Sequence, residues 1–196
     1  IQSYLTGRSQ SVLISGRYSQ PSVLKYGVPQ GSVLGPSLFS DYSSPVASLI
    51  RSHGISAQCY ADDTQLYVSF RPGEEALALQ KLEQCIEDLR IWMNRNRLKL
   101  NDCKTEFLVI GTSNMLRKVK TTSVKVGDAR INAEKKVRNI GAFFDRELKM
   151  DAHINHASKS AWINLFKIGK IRSYLTEDQA KSVMHAYVIS KLDCYN

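Results

Sequence analysis

Asp62 and Asp63 are adjacent carboxylates in the tetrapeptide Tyr60-Ala61-Asp62-Asp63, and the residues on both sides alternate polar and apolar as half-buried strands do. A hairpin tip that presents two carboxylates is a place to hold a divalent cation, which makes metal-assisted phosphoryl transfer the first chemistry to consider. An isolated Asp-Asp pair also fits an ordinary turn, in which carboxylates bond their own backbone. The strand-like flanks, Ala57-Gln58-Cys59 before and Thr64-Gln65-Leu66-Tyr67-Val68-Ser69-Phe70 after, favour the metal reading. Upstream, Gly27-Val28-Pro29-Gln30-Gly31-Ser32-Val33-Leu34-Gly35-Pro36 is a rigid, glycine-punctuated turn that lets backbone approach a ligand closely before a helix begins.

The elements that must position these residues follow from periodicity. Residues 1 to 8 read as helical, and Ser11-Val12-Leu13-Ile14-Ser15 and Val23-Leu24-Lys25-Tyr26 as a pair of strands leading into the glycine-rich turn. A helix is expected from about Leu34 to His53, with Pro36 in its first turn, Gly54 at its end and a kink or break at Pro45. Leu79, Leu82, Ile86, Leu89 and Met93 recur at gaps of three and four, which predicts an amphipathic core helix over 74 to 96. Strands are expected at Arg97 to Leu100 and Phe107 to Gly111 around a polar turn carrying Lys104, then at Val124 to Val126, Ala129 to Asn132 and Val137 to Phe144. The remainder is helical: Ile154, Ala157, Ala161, Leu165 and Ile168 follow the three-four rule, and Thr176 with Gln179 forms a capping box that starts a last helix through about Lys191.

Composition sets wider bounds. With 196 residues, 43% of them hydrophobic, the chain can bury a core and suits one domain or one plus a small appendage. No apolar run approaches the roughly 18 residues that a membrane span needs, and no leader opens the chain, so neither membrane insertion nor secretion is supported and an intracellular setting, nucleus or cytoplasm, is expected. Cys59, Cys85, Cys103 and Cys194 contain no close pair and read as reduced thiols. His153 and His156 lie three apart with no further ligand to complete a metal site, and read as a solvent-facing pair. The net charge of +9 is localised: residues 117 to 172 hold fourteen Lys and Arg against five Asp and Glu, while the rest of the chain is balanced. Such a band attracts a phosphate backbone, with little sequence preference and strong salt dependence, although a bland solvated surface has the same composition.

Three segments taken together, Gly27 to Pro36, the Tyr60 to Asp63 box with Thr64-Gln65-Leu66-Tyr67, and Leu98-Lys99-Leu100-Asn101-Asp102-Cys103-Lys104-Thr105-Glu106, closely resemble the reverse transcriptases of non-LTR (LINE-type) retrotransposons, in particular the CR1, L2 and jockey-like groups. The resemblance covers essentially the whole chain, from Ser3-Tyr4-Leu5 to Leu192-Asp193. It implies an α/β (α+β) fold: a right-hand polymerase palm of antiparallel sheet with packed helices, plus a partial helical thumb. Residues 1–30 would be the remnant of the fingers and palm edge, 31–145 the palm, and 146–196 the first thumb helices.

The same resemblance implies roles. Asp62 and Asp63 match the family's ligands for Mg²⁺ (or Mn²⁺), and Tyr60 matches an aromatic near the primer end. Pro29, Gln30 and Gly31 match the turn lining the incoming dNTP, and Lys104 matches a lysine that assists departure of pyrophosphate. The run Val137-Arg138-Asn139-Ile140-Gly141-Ala142-Phe143-Phe144-Asp145 is similar to the segment that grips the primer strand, with Phe143 and Phe144 expected to fill core. Arg138, Lys159, Lys167 and Lys170 are the candidate contacts to an RNA template and DNA primer. Two departures from the family pattern are Asp41, where an apolar residue is usual, and the order Cys194-Tyr195.

The resemblance also implies a third carboxylate on a strand that would lie before Ile1, and neither end of the chain reads as a natural terminus. Two close cations need a bridging carboxylate, so Asp62 and Asp63 alone are expected to give at most weak single-metal binding and an inactive isolated chain. The alternatives are a non-catalytic, basic nucleic-acid-binding remnant, and a different palm enzyme such as a nucleotide cyclase, for which the basic tail is unexpected.

Overall fold

The computed structural model describes residues 1–120 and 123–193; Cys194 and Tyr195 lie outside them. It divides into two compact units, Ile1–Tyr67 and Val68–Asn196, a boundary that falls inside the span 31–145. The secondary structure is α+β, with helices and small antiparallel two-stranded sheets. Among the described residues no helix is long and apolar enough to cross a membrane.

The first unit opens with α1 (Gln2–Leu5), which stops just before Gly7, and continues into a two-layered hairpin. Strands β1 (Ser9–Gln10) and β4 (Ser22–Val23) pair with each other and enclose the pair β2 (Leu13–Ile14) and β3 (Arg17–Tyr18). Ser15 and Gly16, both at positive φ, form the two-residue turn that this geometry requires. The expected pairing of Ser11–Ser15 with Val23–Tyr26 is therefore corrected. A turn at Ser15-Gly16 brings Arg17–Tyr18 against Leu13–Ile14, and Val23 pairs instead with Ser9.

The helix expected over 34 to 53 breaks at the proline: α2 (Gly35–Ser43) ends at Ser44, and α3 (Pro45–Ser52) begins with Pro45 in its first turn, where the missing N–H costs nothing. Val46 and Ile50 of α3 and the following Ile55 are buried, and α3 packs on β5 (Ser56–Tyr60). β5 pairs with β6 (Asp63–Tyr67) to complete the unit.

The second unit is built on α4 (Glu75–Arg95), within a residue of its expected span. Its apolar stripe Ala78, Leu79, Leu82, Cys85, Ile86 and Leu89 is buried. Glu75 is buried too; its carboxylate accepts from its own backbone N–H and from those of Lys120 and Gly73, the last two at 3.1 and 2.5 Å, and in that order these bonds hold its pKa below the ordinary value. After α4 the chain turns at Arg97 (φ 56°), and the strands expected at 97–100 and 107–111 are absent. The second segment is tethered only near its ends: Phe107 forms an isolated bridge with Ala133, and the Gly111 N–H donates to the Arg146 carbonyl at 2.9 Å. A short helix α5 (Ser113–Leu116), capped by Thr112, follows.

Strands β7 (Ser123–Val126) and β8 (Ala129–Asn132) form the expected hairpin, with Val124 and Val126 buried and β7 packed on α4. The single strand expected over 137–144 is instead a second hairpin, β9 (Lys136–Asn139) and β10 (Ala142–Asp145), because Ile140 and Gly141 both take positive φ and reverse the chain.

Helix α6 (Asp151–Ile171) packs on β10 and on the last helical segment. Of its five expected core positions only Ala161 and Ile168 are buried; Ile154 and Leu165 are exposed, since α6 is covered on one narrow side. Helix α7 (Glu177–Met184) starts at the capping box of Thr176 and Gln179, passes through a π-helical segment, His185–Ile189, and ends in α8 (Ser190–Leu192). Ala161, Ile168 and Val188 form a small core, and the Asn164 side-chain amide donates to the Tyr187 carbonyl at 2.8 Å.

Candidate functional site

The β5–β6 hairpin places Tyr60 opposite Asp63, so Ala61 and Asp62 are its two-residue tip. Ala61 sits at φ 53°, a left-handed position that a residue with a Cβ takes at a cost of about 1 kcal/mol. Alternation puts Ser56, Gln58 and Tyr60 on one face with Asp63, Gln65 and Tyr67, and Ala57, Cys59, Thr64 and Leu66 on the other. The face shared by Tyr60 and Asp63 is polar, and the Tyr67 hydroxyl donates to the side-chain Oε1 of Gln65 upon it. Tyr60, Asp62 and Asp63 are all exposed, so both carboxylates stand in water where a hydrated cation can reach them.

Two hard oxygen donors suit Mg²⁺ or Mn²⁺ better than a soft metal. Among the described residues no third His, Cys, Asp or Glu joins them in a metal-holding group. The residues fit one loosely held ion, and a pair of bridged ions needs a further carboxylate.

The glycine-rich segment belongs to the same unit. Pro29-Gln30-Gly31-Ser32 is a β-turn closed by a bond from the Ser32 N–H to the Pro29 carbonyl, with Gly31 at φ 82° in the position where a type II turn demands glycine. Pro29, Gln30 and Gly31 are exposed. Two residues to which the sequence reading gave no role brace this turn. Arg8 donates from Nη2 to the Gly27 carbonyl at 2.6 Å, and the Tyr4 hydroxyl donates to Ser32 Oγ. Their signal in the sequence was only their type, an arginine and a tyrosine near a glycine-rich run.

Lys104 lies in the second unit, exposed, at the end of a single 3₁₀ turn, Asp102–Lys104. That turn is tied to α4 by the ion pair between Arg90 Nη1 and Asp102 Oδ1 at 2.6 Å. The guanidinium of Arg90 in turn fills the space over Gly127, where a Cβ would meet it at 2.5 Å.

The candidate nucleic-acid contacts gather around β9–β10 and α6. Arg138 is exposed on β9 and is the cross-strand partner of Phe143, with its guanidinium 5.7 Å from that ring. Lys136 Nζ lies 5.8 Å from the same ring, and His156 of α6 meets it edge-on at 5.2 Å. Of the expected solvent-facing pair, His156 is exposed, with one edge on Phe143, whereas His153 is half-buried. Phe143 and Phe144 are both half-buried.

Lys159, Lys167 and Lys170 are exposed along α6. The joint between β10 and α6 is Asp145. Burial acts against its charged carboxylate, but backbone N–H groups of Lys149, Glu147 and Met150 donate to it at 3.0, 3.0 and 2.7 Å and bring its pKa below the ordinary value. Cys59 and Cys103 are exposed free thiols, and Cys85 is a buried one whose pKa is raised by burial and then by Asp88.

No solved structure matches the chain. Among curated proteins, it is 28% identical over 83% of its length to a probable RNA-directed DNA polymerase from transposon BS of Drosophila melanogaster, and 24% identical over 82% to the RNA-directed DNA polymerase from mobile element jockey of the same fly. It is also 26% identical over 79% to a probable RNA-directed DNA polymerase from transposon X-element. The chain spans 18%, 17% and 16% of those three relatives. The family model for reverse transcriptase (RNA-dependent DNA polymerase) matches residues 1–143, which include the glycine-rich turn, the paired aspartates, Lys104 and most of the β9–β10 hairpin. With the motifs, their order and these relatives in agreement, the chain belongs to the reverse transcriptase (RNA-dependent DNA polymerase) family, in its LINE-type branch.

Proposed function

We propose that the chain contributes the palm and the first thumb helices of an RNA-directed DNA polymerase, residues 31–145 and 146–196, with residues 1–30 as the edge of the fingers. The observation that carries this reading is the exposed tip of β5–β6, which presents Asp62 and Asp63 together in a chain of this family. In the reaction, a primer 3′-hydroxyl attacks the α-phosphate of a dNTP; a P–O bond forms to the primer and the bond to pyrophosphate breaks. Asp62 and Asp63 would hold Mg²⁺ or Mn²⁺, which when bound offsets charge on the phosphates.

Gly31 gives the turn a bare backbone against which a nucleotide can lie, and Gln30 offers an amide donor beside it. Tyr60 shares a strand face with Asp63 and would pack near the primer end. Lys104, on its tethered turn, would supply positive charge or a proton to departing pyrophosphate. Arg138, Lys159, Lys167 and Lys170 would hold the phosphates of template and primer. An intracellular setting, nucleus or cytoplasm, is in keeping with the three free thiols among the described residues.

The test has two parts. Paramagnetic broadening by Mn²⁺ should be confined to the resonances of residues near Tyr60–Asp63, and Asp62→Asn with Asp63→Asn should remove it; broadening elsewhere would refute the metal assignment. The purified chain should not extend a primer on an RNA template, because its residues hold two of the carboxylates that a pair of bridged ions needs. Extension that depends on Asp62 and Asp63 would overturn that requirement. The basic band favours a second reading, a nucleic-acid-binding piece without catalysis, which predicts salt-sensitive binding that survives loss of both aspartates.

A further inference from the structure

Helix α6 buries Ala161 and Ile168 and turns its other side to water. That outer side is not an ordinary charged face. Trp162 is 69% exposed, Phe166 62% and Ile163 43%, although aromatic side chains of this size are usually covered. Residues four apart stack along a helix, so the face consists of two neighbouring rows, Trp162–Phe166–Lys170 and Lys159–Ile163–Lys167. Each row combines apolar surface with a lysine at one or both ends. The Lys170 ammonium lies 4.7 Å from the centre of the Phe166 ring, and Trp162, Ile163, Phe166, Lys167 and Lys170 line an open recess of about 450 Å³.

We propose that this face is a stacking platform for unpaired bases, which gives the basic band a preference for single-stranded nucleic acid over duplex. The inference rests on the reading that the band binds nucleic acid, and it names the form that is bound. Lysines alone attract any phosphate backbone. Exposed aromatic rings add a contact only where base faces are free, as they are in a single strand and are not inside a duplex. Rings and ammonium groups side by side on one helix face offer both of the contacts that a single strand can use, one to base faces and one to phosphates. A protein partner would match the rings, but it would leave three of the six residues in these rows, Lys159, Lys167 and Lys170, without a role.

The experiment uses the full 196-residue chain and one labelled RNA, offered alone and annealed as a blunt duplex, with affinity measured at two salt concentrations. The single strand should bind more tightly than the duplex. Trp162→Ala with Phe166→Ala should weaken single-strand binding by about tenfold or more, leave duplex binding within about twofold, and keep the salt slope unchanged. Trp162→Tyr should retain most of the affinity. In a Trp92→Phe background, which leaves Trp162 as the one indole, emission should be quenched by the single strand and not by the duplex.

Equal losses on both forms, no quenching, or a single strand that binds no more tightly than the duplex would overturn the platform while leaving the basic band standing. A change in sedimentation of the alanine variant with unaltered RNA binding would overturn it in favour of a protein occupant. Failure of the unsubstituted chain to bind either form would instead refute the nucleic-acid reading on which the inference rests. Because both rings are exposed, an unchanged melting curve of the variant is expected and separates loss of contact from loss of fold.

Discussion

An alanine at Gly127 should destabilise the chain by about 2 kcal/mol, and about half of that cost should vanish when Arg90 is removed as well. Gly127 is the first residue of the two-residue turn between β7 and β8, at φ 59°. A Cβ there carries a left-handed penalty of about 1 kcal/mol. It would also lie 2.5 Å from the guanidinium carbon of Arg90, closer than any two carbons tolerate without a bond. The guanidinium ends a flexible side chain, so it would swing aside, and in doing so it would give up Asp102, now 2.6 Å away. The two side chains are 23% and 34% exposed, so the pair is valued as a surface one, about 1 kcal/mol.

Urea denaturation of the unsubstituted chain, Gly127→Ala, Arg90→Met and the double variant closes a cycle. Gly127→Ala should cost about 2 kcal/mol with Arg90 present and about 1 without it. The coupling of about 1 kcal/mol exceeds the roughly 0.3–0.5 seen between independent sites. Equal costs in the two backgrounds would refute the idea that Arg90 is held between Gly127 and the turn that carries Lys104.

Ala61→Gly should leave the hairpin intact and raise stability by up to ~1 kcal/mol, since glycine takes φ 53° without strain; a loss of stability in thermal melts would contradict the left-handed assignment. Thr176→Ala should remove the bond that Thr176 Oγ accepts from the Gln179 N–H at the start of α7 and cost about 1 kcal/mol, read as a lower melting temperature. Glu75 has its folded pKa below 4.5, so the stability it contributes is present above that pH and is lost as pH falls through the folded value. Melts between about pH 6 and 3 should show a steeper loss for the unsubstituted chain than for Glu75→Gln, and parallel curves would count against the buried carboxylate as the source.

Where the sequence was legible, one local signal was strong enough to act alone. The break at Pro45, the stripe from Ala78 to Leu89, the box of Thr176 and Gln179 and the tip at Tyr60–Asp63 each follow from residue type and spacing. The failures lie where φ decides. A non-glycine residue at positive φ is not announced by its side chain, and Ser15, Arg97 and Ile140 turned the chain where strands or a longer pairing had been expected.

Arg97 and the Arg90–Asp102 pair explain why 97–100 is a tethered loop: the chain is reversed at the helix end and then fixed by one ion pair. The site was legible as a set of residue types. Its braces, Tyr4, Arg8 and Arg90, were not, because they act across 28, 19 and 12 positions and long-range bonds leave no periodic trace.

The π-helical segment His185–Ile189 acts as a phase shift in the last helix. Its wider turns hold about one residue more than an α-helix would, so the side chains of Ser190–Leu192 are rotated by roughly 100° from where a count begun at Thr176 would put them. Deleting a single residue between 185 and 189 would yield a more regular helix and a worse-packed one. The downstream turn would swing to a new face, and the Tyr187 carbonyl would leave the Asn164 amide that now meets it. The facing of Ser190–Leu192 thus depends on one supernumerary residue and on one amide.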